Sequence, residues 1–212
     1  MTNQRIALVT GSSSGIGLAI AERLLADGWQ VHGFDIAPAC CTHAAFTAVR
    51  VDLSQGAEVE AAAARLRDVS AFVHAAGVLR VGMLGALKPE DAELMWRLHV
   101  DAAVRIANLV LPAMAARRDG RVVLIGSRVA QGKAGRSLYA ATKAALIALM
   151  RSWASEVVAA GVTVNTVSPA ATQTAMLDDP ARQTQAPSVP PLGRLIRPVN
   201  VRIQYRNHIQ WL

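Results

Sequence analysis

A tyrosine and a lysine in this chain are spaced so that they could perform acid–base chemistry together. Tyr139 and Lys143 are four residues apart, which places both side chains on one face of a helix. A tyrosine hydroxyl has a reference pKa of about 10, and a neighbouring ammonium group lowers that pKa by favouring the phenolate. Tyr139 could therefore accept a proton from an alcohol or donate one to a ketone. Ser127 ends an apolar run before this helix, so its hydroxyl is a third candidate.

A glycine-rich segment near the N-terminus could bind phosphate groups. Gly-Ser-Ser-Ser-Gly-Ile-Gly at 11–17 joins an apolar run to a helical pattern. Glycine permits a tight turn, and the helix N-terminus offers free N–H groups and partial positive charge to a pyrophosphate. The predicted cofactor-binding residues of this turn are Gly11, Ser13, Ser14, Gly15, Ile16 and Gly17. The alternative is a tight turn without a ligand.

The elements that must position these residues alternate between strand and helix. Apolar, β-branched runs predict strands at 5–10, 30–36, 47–51, 70–75, 121–127 and 162–168. Helical spacing covers 16–26, 58–67, 89–117 and 139–160. Strands that are apolar on both faces and alternate with helices predict an α/β fold, a doubly wound parallel sheet with helices on both sides. Such sheets bind ligands at the carboxyl ends of their strands, where the candidate residues fall.

A carboxylate at the end of the second predicted strand indicates which nucleotide would bind. Asp35 could accept hydrogen bonds from the adenosine ribose hydroxyls and would repel a 2′-phosphate. No lysine or arginine lies in the glycine turn or directly after Asp35. The sequence therefore predicts NAD rather than NADP. The alternative for Asp35 is a solvated carboxylate at a strand end.

These motifs together resemble the short-chain dehydrogenase/reductase family. The segment from Thr10 to Gly17 resembles the family's TGxxxGIG motif, and Tyr139-Ala-Ala-Thr-Lys143 resembles its Tyr-x-x-x-Lys motif. The resemblance implies a Rossmann-type single domain and an NAD-dependent enzyme that transfers a hydride between NAD(H) and a secondary alcohol or ketone. It also implies that Ser127 hydrogen-bonds the substrate oxygen and that Lys143 holds the nicotinamide ribose as well.

The resemblance extends to the ends of the later strands. An aspartate that contacts adenine in the family falls on Asp52, and the segment 74–77 takes the place of the family's Asn-Asn-Ala-Gly. Both asparagines are replaced, and His74 is expected to be a structural substitute. The family's Pro-Gly-x-x-x-Thr segment corresponds to 169–174. The cofactor-binding residues implied are Asp52, Leu53, Ala75, Ala76, Gly77, Tyr139, Lys143, Pro169, Thr172 and Thr174.

A histidine occupies the position of the family's fourth catalytic residue. His99 aligns with an asparagine that is thought to hold a proton-relaying water beside the lysine. Imidazole could serve this role with one donor and one acceptor nitrogen. The alternative is a core histidine whose nitrogens are satisfied by the protein.

Composition excludes several other classes of protein. A chain of 212 residues that is 52% hydrophobic fits one domain. It has no apolar run of about 18 residues and no signal-peptide pattern, so we expect a cytoplasmic protein without a membrane partner. Cys40 and Cys41 are adjacent, which suits neither a disulfide framework nor a metal site. The net charge of +7 comes mostly from five arginines after Asp179, which argues against nucleic-acid binding.

Cationic residues are expected near the substrate. The residues predicted to face it are Leu79, Arg80, Arg128, Val129, Lys133, Arg136, Leu138 and the loop 178–191. Their charge favours an anionic or polyhydroxylated substrate, with a cyclic compound as one form, because a guanidinium can bind a carboxylate through two hydrogen bonds. The alternative is a set of solvated charges around an open cleft.

The C-terminal segment departs from the family. We predict an NAD-binding domain at 1–198 and an atypical tail at 199–212 that lacks or replaces the family's terminal helix and strand. In the tail, apolar residues at 199, 201, 203 and 205 alternate with polar ones, which could form a substitute strand. We expect a homodimer or homotetramer if the tail permits. The second functional hypothesis is a nucleotide-binding protein that is catalytically impaired by its altered end, and an isomerase of the related longer-chain group is a weaker third.

Overall fold

The computed structural model describes residues 5–177 and 189–201 and contains a six-stranded parallel sheet. The strands are β1 (Ile6–Thr10), β2 (Gln30–Asp35), β3 (Phe46–Arg50), β4 (Val69–His74), β5 (Gly120–Ile125) and β6 (Val162–Val167). They lie in the order β3-β2-β1-β4-β5-β6. The six predicted strands are confirmed, with every end within two residues of its prediction.

Five α-helices connect the strands within the described residues. They are α1 (Gly15–Ala26), α2 (Gly56–Ala63), α3 (Pro89–Trp96), α4 (Ala102–Arg117) and α5 (Ser137–Val157). The helical stretch predicted over 89–117 is confirmed, and a π-helical turn at Arg97–Asp101 joins α3 to α4 within it. The prediction for α2 extended four residues too far, since the chain turns after Ala63 and Asp68 adopts a left-handed φ of 56° before β4.

Helices cover the sheet on both faces, which explains why the central strands β1, β4 and β5 are buried along almost their whole length. On one face Leu8 and Phe72 pack against Ile106 and other residues of α4, together with residues of α2 and α5. On the other face Val9 packs with Ile20 and other residues of α1. Adjacent residues of β1 thus point into separate layers, as the two-residue period of a strand requires. The result is the Rossmann-type doubly wound sheet that the sequence predicted.

The long helical stretch Pro89–Arg117 is apolar enough, by length and composition, to cross a membrane. Half of its most apolar window is buried inside the protein. Ala103, Ile106 and Met114 are fully buried against the sheet. This packing is that of a core helix, and such helices pass the same compositional test.

The sheet reverses its strand order beside β1, which pairs with both β2 and β4. Thr10 and His74 are register partners at the carboxyl ends of β1 and β4. Ligands of doubly wound sheets bind in the crevice at such a switch point. The fold therefore places the glycine turn after β1 next to the segment that follows β4.

The described part of the tail is helical. Residues 198–201 form a helical turn that begins at a proline, and the Asn200 side chain accepts a hydrogen bond from the Arg197 N–H at 3.3 Å. Val201 is buried in the same core cluster as Val9. The strand expected from alternation is therefore wrong at Val199 and Val201, because burial of Val201 against the sheet is achieved by a helical turn. Positions 203 and 205 lie outside the described residues.

Candidate active site

A cleft of about 980 Å³ lies at the carboxyl ends of the strands. It brings together most of the residues predicted from sequence: Gly11, Ser14, Gly15, Ile16, Gly17, Asp35, Asp52, Leu53, Ala75, Ala76, Gly77, Ser127, Tyr139, Lys143, Pro169, Thr172 and Thr174. Ser13 and His99 do not line the cleft, and each contacts a residue that does. Its volume is at the upper end of the range for small-molecule sites.

The glycine turn is packed so closely that no side chain would fit at two of its positions. A Cβ atom on Gly11 would lie 2.9 Å from the backbone nitrogen of Ala76, and one on Gly17 would overlap the carbonyl oxygen of Gly11. Helix α1 begins at Gly15, within this turn, with no side-chain cap and no acidic residue in its first turn. Its N-terminal N–H groups therefore remain available to an anion.

Two carboxylates define the nucleotide end of the cleft, which extends from the glycine turn to β3. Asp35 accepts hydrogen bonds from the Ser13 N–H and the Ala37 N–H, both at 2.9 Å. Asp52 accepts bonds from the backbone N–H and the hydroxyl of Ser54, at 2.9 and 2.8 Å. These backbone contacts fix both side chains in place. Ser13 thus contributes to the site by orienting Asp35.

The three residues expected to act on a substrate lie at the other end of the cleft. Ser127 follows β5, and its hydroxyl oxygen accepts a hydrogen bond from the Val129 N–H at 3.1 Å, so its hydrogen can still be donated. Tyr139 and Lys143 lie on one face of α5, with Lys143 Nζ 5.7 Å from the centre of the Tyr139 ring. Lys143 also donates a hydrogen bond to the Ile125 carbonyl at 2.8 Å.

Burial changes the proton affinity of the lysine. Loss of solvent lowers the pKa of Lys143 from 10.5 to about 8. Lys143 therefore remains mostly protonated at neutral pH. Its ammonium group can favour a negative charge on the neighbouring Tyr139 oxygen.

His99 is fully buried and has a hydrogen bond at each ring nitrogen. Its Nε2 accepts from the Val78 N–H at 3.1 Å, so the proton must be on Nδ1, which donates to the Thr142 hydroxyl at 2.8 Å. Thr142 in turn donates to the Tyr139 carbonyl at 2.9 Å. Burial, followed by the charge of Lys143, lowers the pKa of His99 well below its ordinary value, so the ring is neutral. The sequence did not indicate Thr142, although it lies three residues after Tyr139 on the same helix.

His74 forms a second buried connection, between two strand ends and the π-helical turn. Its Nε2 donates to the Leu98 carbonyl at 3.1 Å, and its Nδ1 accepts from the Thr10 hydroxyl at 3.0 Å. The same Thr10 oxygen accepts bonds from the N–H groups of Ala75 and Ala76, each at 3.1 Å. This arrangement fits the structural role expected from sequence. Burial lowers the pKa of His74 to about 3.

The segment after β6 is held by a short parallel bridge. The Ile196 N–H donates to the Ala171 carbonyl at 2.9 Å, and the Gln173 N–H donates to the Ile196 carbonyl at 2.7 Å. The hydroxyl of Thr172 donates to the Ala170 carbonyl at 2.9 Å. Pro169, Thr172 and Thr174 are thereby placed along the cleft.

Residues predicted to face a substrate divide between two neighbouring cavities. Those that line the main cleft are Leu79, Arg128, Val129, Lys133, Arg136 and residues 189–191. Arg80 and Leu138 instead line a small adjoining pocket, and Arg136 borders both. Arg80 is paired there with Asp91 at 3.6 Å. Residues 178–188 of the predicted substrate loop lie outside the described residues.

The cleft fits a nicotinamide dinucleotide by the chemistry of its donors. The close-packed glycine turn and the uncapped start of α1 suit a pyrophosphate, and the Asp35 carboxylate suits ribose hydroxyls. Lys143 and Tyr139 lie in the same cleft, where a nicotinamide would be placed next to a substrate. The geometry therefore defines an oxidoreductase of the Rossmann-type class.

Comparison with known proteins identifies the family within this class. The sequence model for short chain dehydrogenase matches residues 5–185. The chain belongs to the short-chain dehydrogenase family of oxidoreductases, which confirms the resemblance seen in the sequence.

Individual relatives share most of their length with this chain. It is 36% identical over 205 residues to the 3-oxoacyl-[acyl-carrier-protein] reductase FabG of Escherichia coli, with 90% of this chain and 84% of the relative covered. The oxidoreductase UcpA of E. coli O157:H7 is 31% identical over 221 residues, covering 93% and 84%. A solved 3-oxoacyl-(acyl-carrier-protein) reductase from Agrobacterium tumefaciens with NADP bound superposes with a TM-score of 0.86 at 31% identity, covering 97% and 87%.

Proposed function

We propose that this protein is an NAD(H)-dependent oxidoreductase that transfers a hydride between the cofactor and a secondary alcohol or ketone. The observation that carries the proposal is that Ser127, Tyr139 and Lys143 face the same cleft as the glycine turn. The alternative is a nucleotide-binding protein that is catalytically impaired by its altered C-terminal end. The position of all three side chains at the cleft favours the enzyme.

The residues that would hold the dinucleotide extend along the cleft from α1 to the loop after β6. Gly15, Ile16 and Gly17 would face the pyrophosphate, Asp35 the adenosine ribose and Asp52 the adenine region. Thr172 and Thr174 would approach the nicotinamide half, and Lys143 its ribose. The bound nicotinamide would accept or supply the hydride.

Three side chains would act on the substrate oxygen. Ser127 would donate its hydroxyl hydrogen to that oxygen, since the serine oxygen already accepts a bond from the Val129 N–H. Tyr139 would take the alcohol proton in oxidation, or give a proton to the ketone in reduction. Lys143 would stabilise the charge on the Tyr139 oxygen. General acid–base catalysis of this kind contributes about 10²–10⁴ in rate.

NAD is the proposed cofactor because of the charges around the cleft. Both carboxylates of the described lining, Asp35 and Asp52, lie at the nucleotide end. The lysines and arginines of that lining lie toward the substrate end. A 2′-phosphate would therefore meet negative charge. The NADP bound to the A. tumefaciens relative favours the opposite preference, so the two cofactors must be compared directly.

His99 is proposed to position Tyr139 rather than to relay protons. Both of its ring nitrogens bond to the protein, so a relaying water would have to displace one of these bonds. The bond through Thr142 reaches the Tyr139 backbone, and the two rings meet edge to face with centres 5.5 Å apart. His99 therefore supports the backbone and the ring of the proposed acid–base residue.

The cations at the substrate end favour an anionic or polyhydroxylated substrate, with cyclic compounds included. Arg128, Lys133 and Arg136 line this end of the cleft. A cytoplasmic location and a homodimeric or homotetrameric state are part of the proposal, as is the division into 1–198 and 199–212.

A substrate screen with both cofactors tests the proposal. Purified protein would be assayed with NAD and NADP against secondary alcohols, cyclic diols and hydroxy acids, and with the reduced cofactors against the matching ketones. We expect NAD-linked turnover that Tyr139→Phe reduces about 10²–10⁴-fold while nucleotide binding is retained. Binding of NAD without turnover by the wild type would favour the impaired-protein alternative.

A further inference from the structure

The loop that follows β6, residues 170–174, is held against the cleft by a distant part of the chain. Its own side chains make local hydrogen bonds: the Thr172 hydroxyl donates to the Ala170 carbonyl at 2.9 Å, and the Thr174 hydroxyl donates to the Thr172 carbonyl at 3.4 Å. Local bonds of this kind shape a loop but do not fix it relative to the sheet. The parallel bridge between Thr172 and Ile196, which lies 24 residues later, supplies that hold.

The end of this loop lies against the start of α1. A Cβ atom on Gly15 would lie 3.1 Å from the Thr174 methyl carbon, so the two residues are close neighbours. Gly15 begins α1, whose first N–H groups are the proposed pyrophosphate site. The residue before Thr174 is bonded to the bridge, since the Gln173 N–H donates to the Ile196 carbonyl at 2.7 Å. The position of Ile196 therefore determines where the loop lies beside α1.

Ile196 belongs to a segment that is packed on the core, residues 196–201, which we call the anchor segment. At its end Val201 is only 1% exposed and lies in the cluster that contains Ile20 of α1 and Val167 of β6. Ile196 packs against the same cluster. Between them the Asn200 N–H donates to the Arg197 carbonyl at 2.8 Å, which closes a helical turn. The anchor segment is thus held at both ends by the apolar layer that α1 forms with the sheet.

We propose that Ile196 and Val201 are positioning residues, which hold loop 170–174 in place for the nicotinamide half of the cofactor. Neither residue lines the cleft, so both act through the backbone of the loop. A loop that is ordered before its ligand arrives binds more tightly, because the ordering no longer costs free energy during binding. This inference rests on the proposed function. It also implies that an alteration of the tail would impair the protein through the anchor segment, by loosening the cofactor site.

Amide hydrogen exchange in the cofactor-free protein tests the hold directly. The Gln173 N–H bonds to Ile196, so it should exchange slowly in the wild type. Val201→Ala should speed this exchange at least about tenfold, while the N–H of Phe72, in the central strand β4, stays protected. An unprotected Gln173 N–H in the wild type, or unchanged exchange in Val201→Ala, would overturn the proposal.

Val31→Ala is the matched control for this substitution. Val31 is also 1% exposed and belongs to the same cluster, but it lies near the amino end of β2, away from the cleft. Both variants lose the same two methyl groups from the core, so their melting temperatures should decrease by similar amounts. Only Val201→Ala should speed exchange at Gln173. Equal acceleration in the two variants would show a general loss of packing and would contradict the role of the anchor segment.

Nucleotide affinity shows whether the hold matters for the cofactor. NAD and AMP would be titrated calorimetrically, because AMP carries the adenosine ribose and one phosphate but lacks the nicotinamide half. Val201→Ala should weaken NAD binding at least about tenfold and change AMP binding less than about twofold, since the loop must then be ordered during binding. Val31→Ala should leave both affinities unchanged. Equal weakening of NAD and AMP in Val201→Ala would overturn the positioning role.

Substitutions of Ile196 assign the effect to the bridge. Ile196→Pro removes the N–H that bonds to the Ala171 carbonyl and keeps an apolar side chain. It should lower the ratio of NAD to AMP affinity as Val201→Ala does. Ile196→Val keeps both backbone bonds and most of the packing, so its ratio should equal that of the wild type. A ratio that is lowered in both variants, or in neither, would contradict the role of the bridge.

The same titrations distinguish failure of this inference from failure of the proposed function. Wild-type protein that does not bind NAD would contradict the proposed function, and the positioning role with it. NAD binding that persists undiminished in Val201→Ala and Ile196→Pro would overturn the positioning role while the proposed function stands. Weakened NAD binding in both variants, with AMP binding retained, would support the two together.

Discussion

At the nucleotide end of the cleft, the polar side chains already bond to the protein's own backbone, whereas the substrate end is lined by the cationic residues Arg128, Lys133 and Arg136. Asp35 accepts N–H groups of Ser13 and Ala37, and the Thr10 hydroxyl joins two backbone N–H groups to His74. At the other end, Arg136 has a buried guanidinium edge with no partner among the described residues.

This difference between the two ends of the cleft distinguishes features that other proteins of this fold can share from features that are particular to this chain. A nucleotide end built from glycine backbone and fixed carboxylates is preorganised, so binding there needs little rearrangement. The substrate end instead carries the positive charges of Arg128, Lys133 and Arg136, which favour a ligand of opposite charge. Specificity for the substrate is therefore expected from a few side chains, and specificity for the cofactor from the fixed Asp35.

The largest effect is expected from adding one methyl group at the nucleotide end. Gly17→Ala would place a Cβ against the carbonyl oxygen of Gly11, and neither backbone segment can yield without moving α1. We expect a loss of more than about 4 kcal/mol in the free energy of unfolding and loss of NAD binding. Urea unfolding and calorimetry would measure both.

A glycine at the substrate end is the control for this prediction. Gly132 lines the cleft with a φ of 98°, and a Cβ there would meet no atom within 4 Å. Gly132→Ala should cost about 1–3 kcal/mol from backbone strain alone and leave NAD binding intact. Equal effects of the two substitutions would contradict the difference in packing between the two ends.

The next effect concerns the choice of cofactor. Asp35→Asn keeps an oxygen that can accept one backbone N–H but removes the charge that opposes a 2′-phosphate. The ratio of NADPH to NADH affinity should rise about 10–100-fold, since hydrogen bonds to charged groups contribute about 1.5–3 kcal/mol. Fluorescence titration of both cofactors measures the ratio. Wild-type protein that binds NADPH more tightly would refute the role given to Asp35.

The parts of this molecule that sequence predicted are those determined by local pattern. The strands followed from apolar, β-branched runs, and the glycine turn and the Tyr139–Lys143 pair followed from spacing along the chain. The π-helical turn at Arg97–Asp101 could not be predicted from local pattern. Its Leu98 carbonyl accepts a hydrogen bond from His74, which lies 24 residues earlier in the chain.

Other features depend on contacts between distant segments. The partners of His99 are Val78 and Thr142, which are 21 and 43 residues away, so its aligned position left relay and core roles open. The sequence indicated that Arg136 faces a substrate, but its burial and unmet donors follow only from packing. The helical turn at 198–201 depended on burial of Val201 in the core.

A smaller effect is expected from His99, which is buried behind the cleft between Val78 and Thr142. His99→Asn would retain a donor near the Nδ1 position for Thr142 but leave the Val78 N–H without its acceptor. His99→Gln would retain the acceptor and lose the donor. Each variant should lose about 1–2 kcal/mol of stability.

The pH dependence of turnover tells positioning from proton relay. If His99 positions Tyr139, both variants should lower kcat without changing the shape of its pH profile, and the effect should be larger for His99→Gln because the bond to Thr142 is lost. A shifted pH profile in both variants would show that His99 carries protons and would contradict the positioning role.

The most gradual effect is a pH dependence of stability from His74, which joins the ends of β1 and β4. Burial lowers the pKa of folded His74 to about 3, while the unfolded value is 6.5. Between these values the unfolded chain binds a proton that the folded protein does not. The free energy of unfolding should therefore decrease by up to about 1.4 kcal/mol for each unit that the pH falls below 6.5, and it should be insensitive to this group at higher pH.

Comparison with a variant isolates this contribution from other acid effects. The stability difference between wild type and His74→Asn, measured by urea unfolding, should be constant above about pH 7 and shrink as the pH falls toward 5. His43→Asn, at an exposed position, should show a difference that does not shrink in this way. A difference for His74→Asn that is constant over the whole range would mean that His74 takes up its proton equally in both states. The connection between β1 and β4 would then tolerate a charge, and the description of that region as fully hydrogen-bonded and closed to solvent would be wrong.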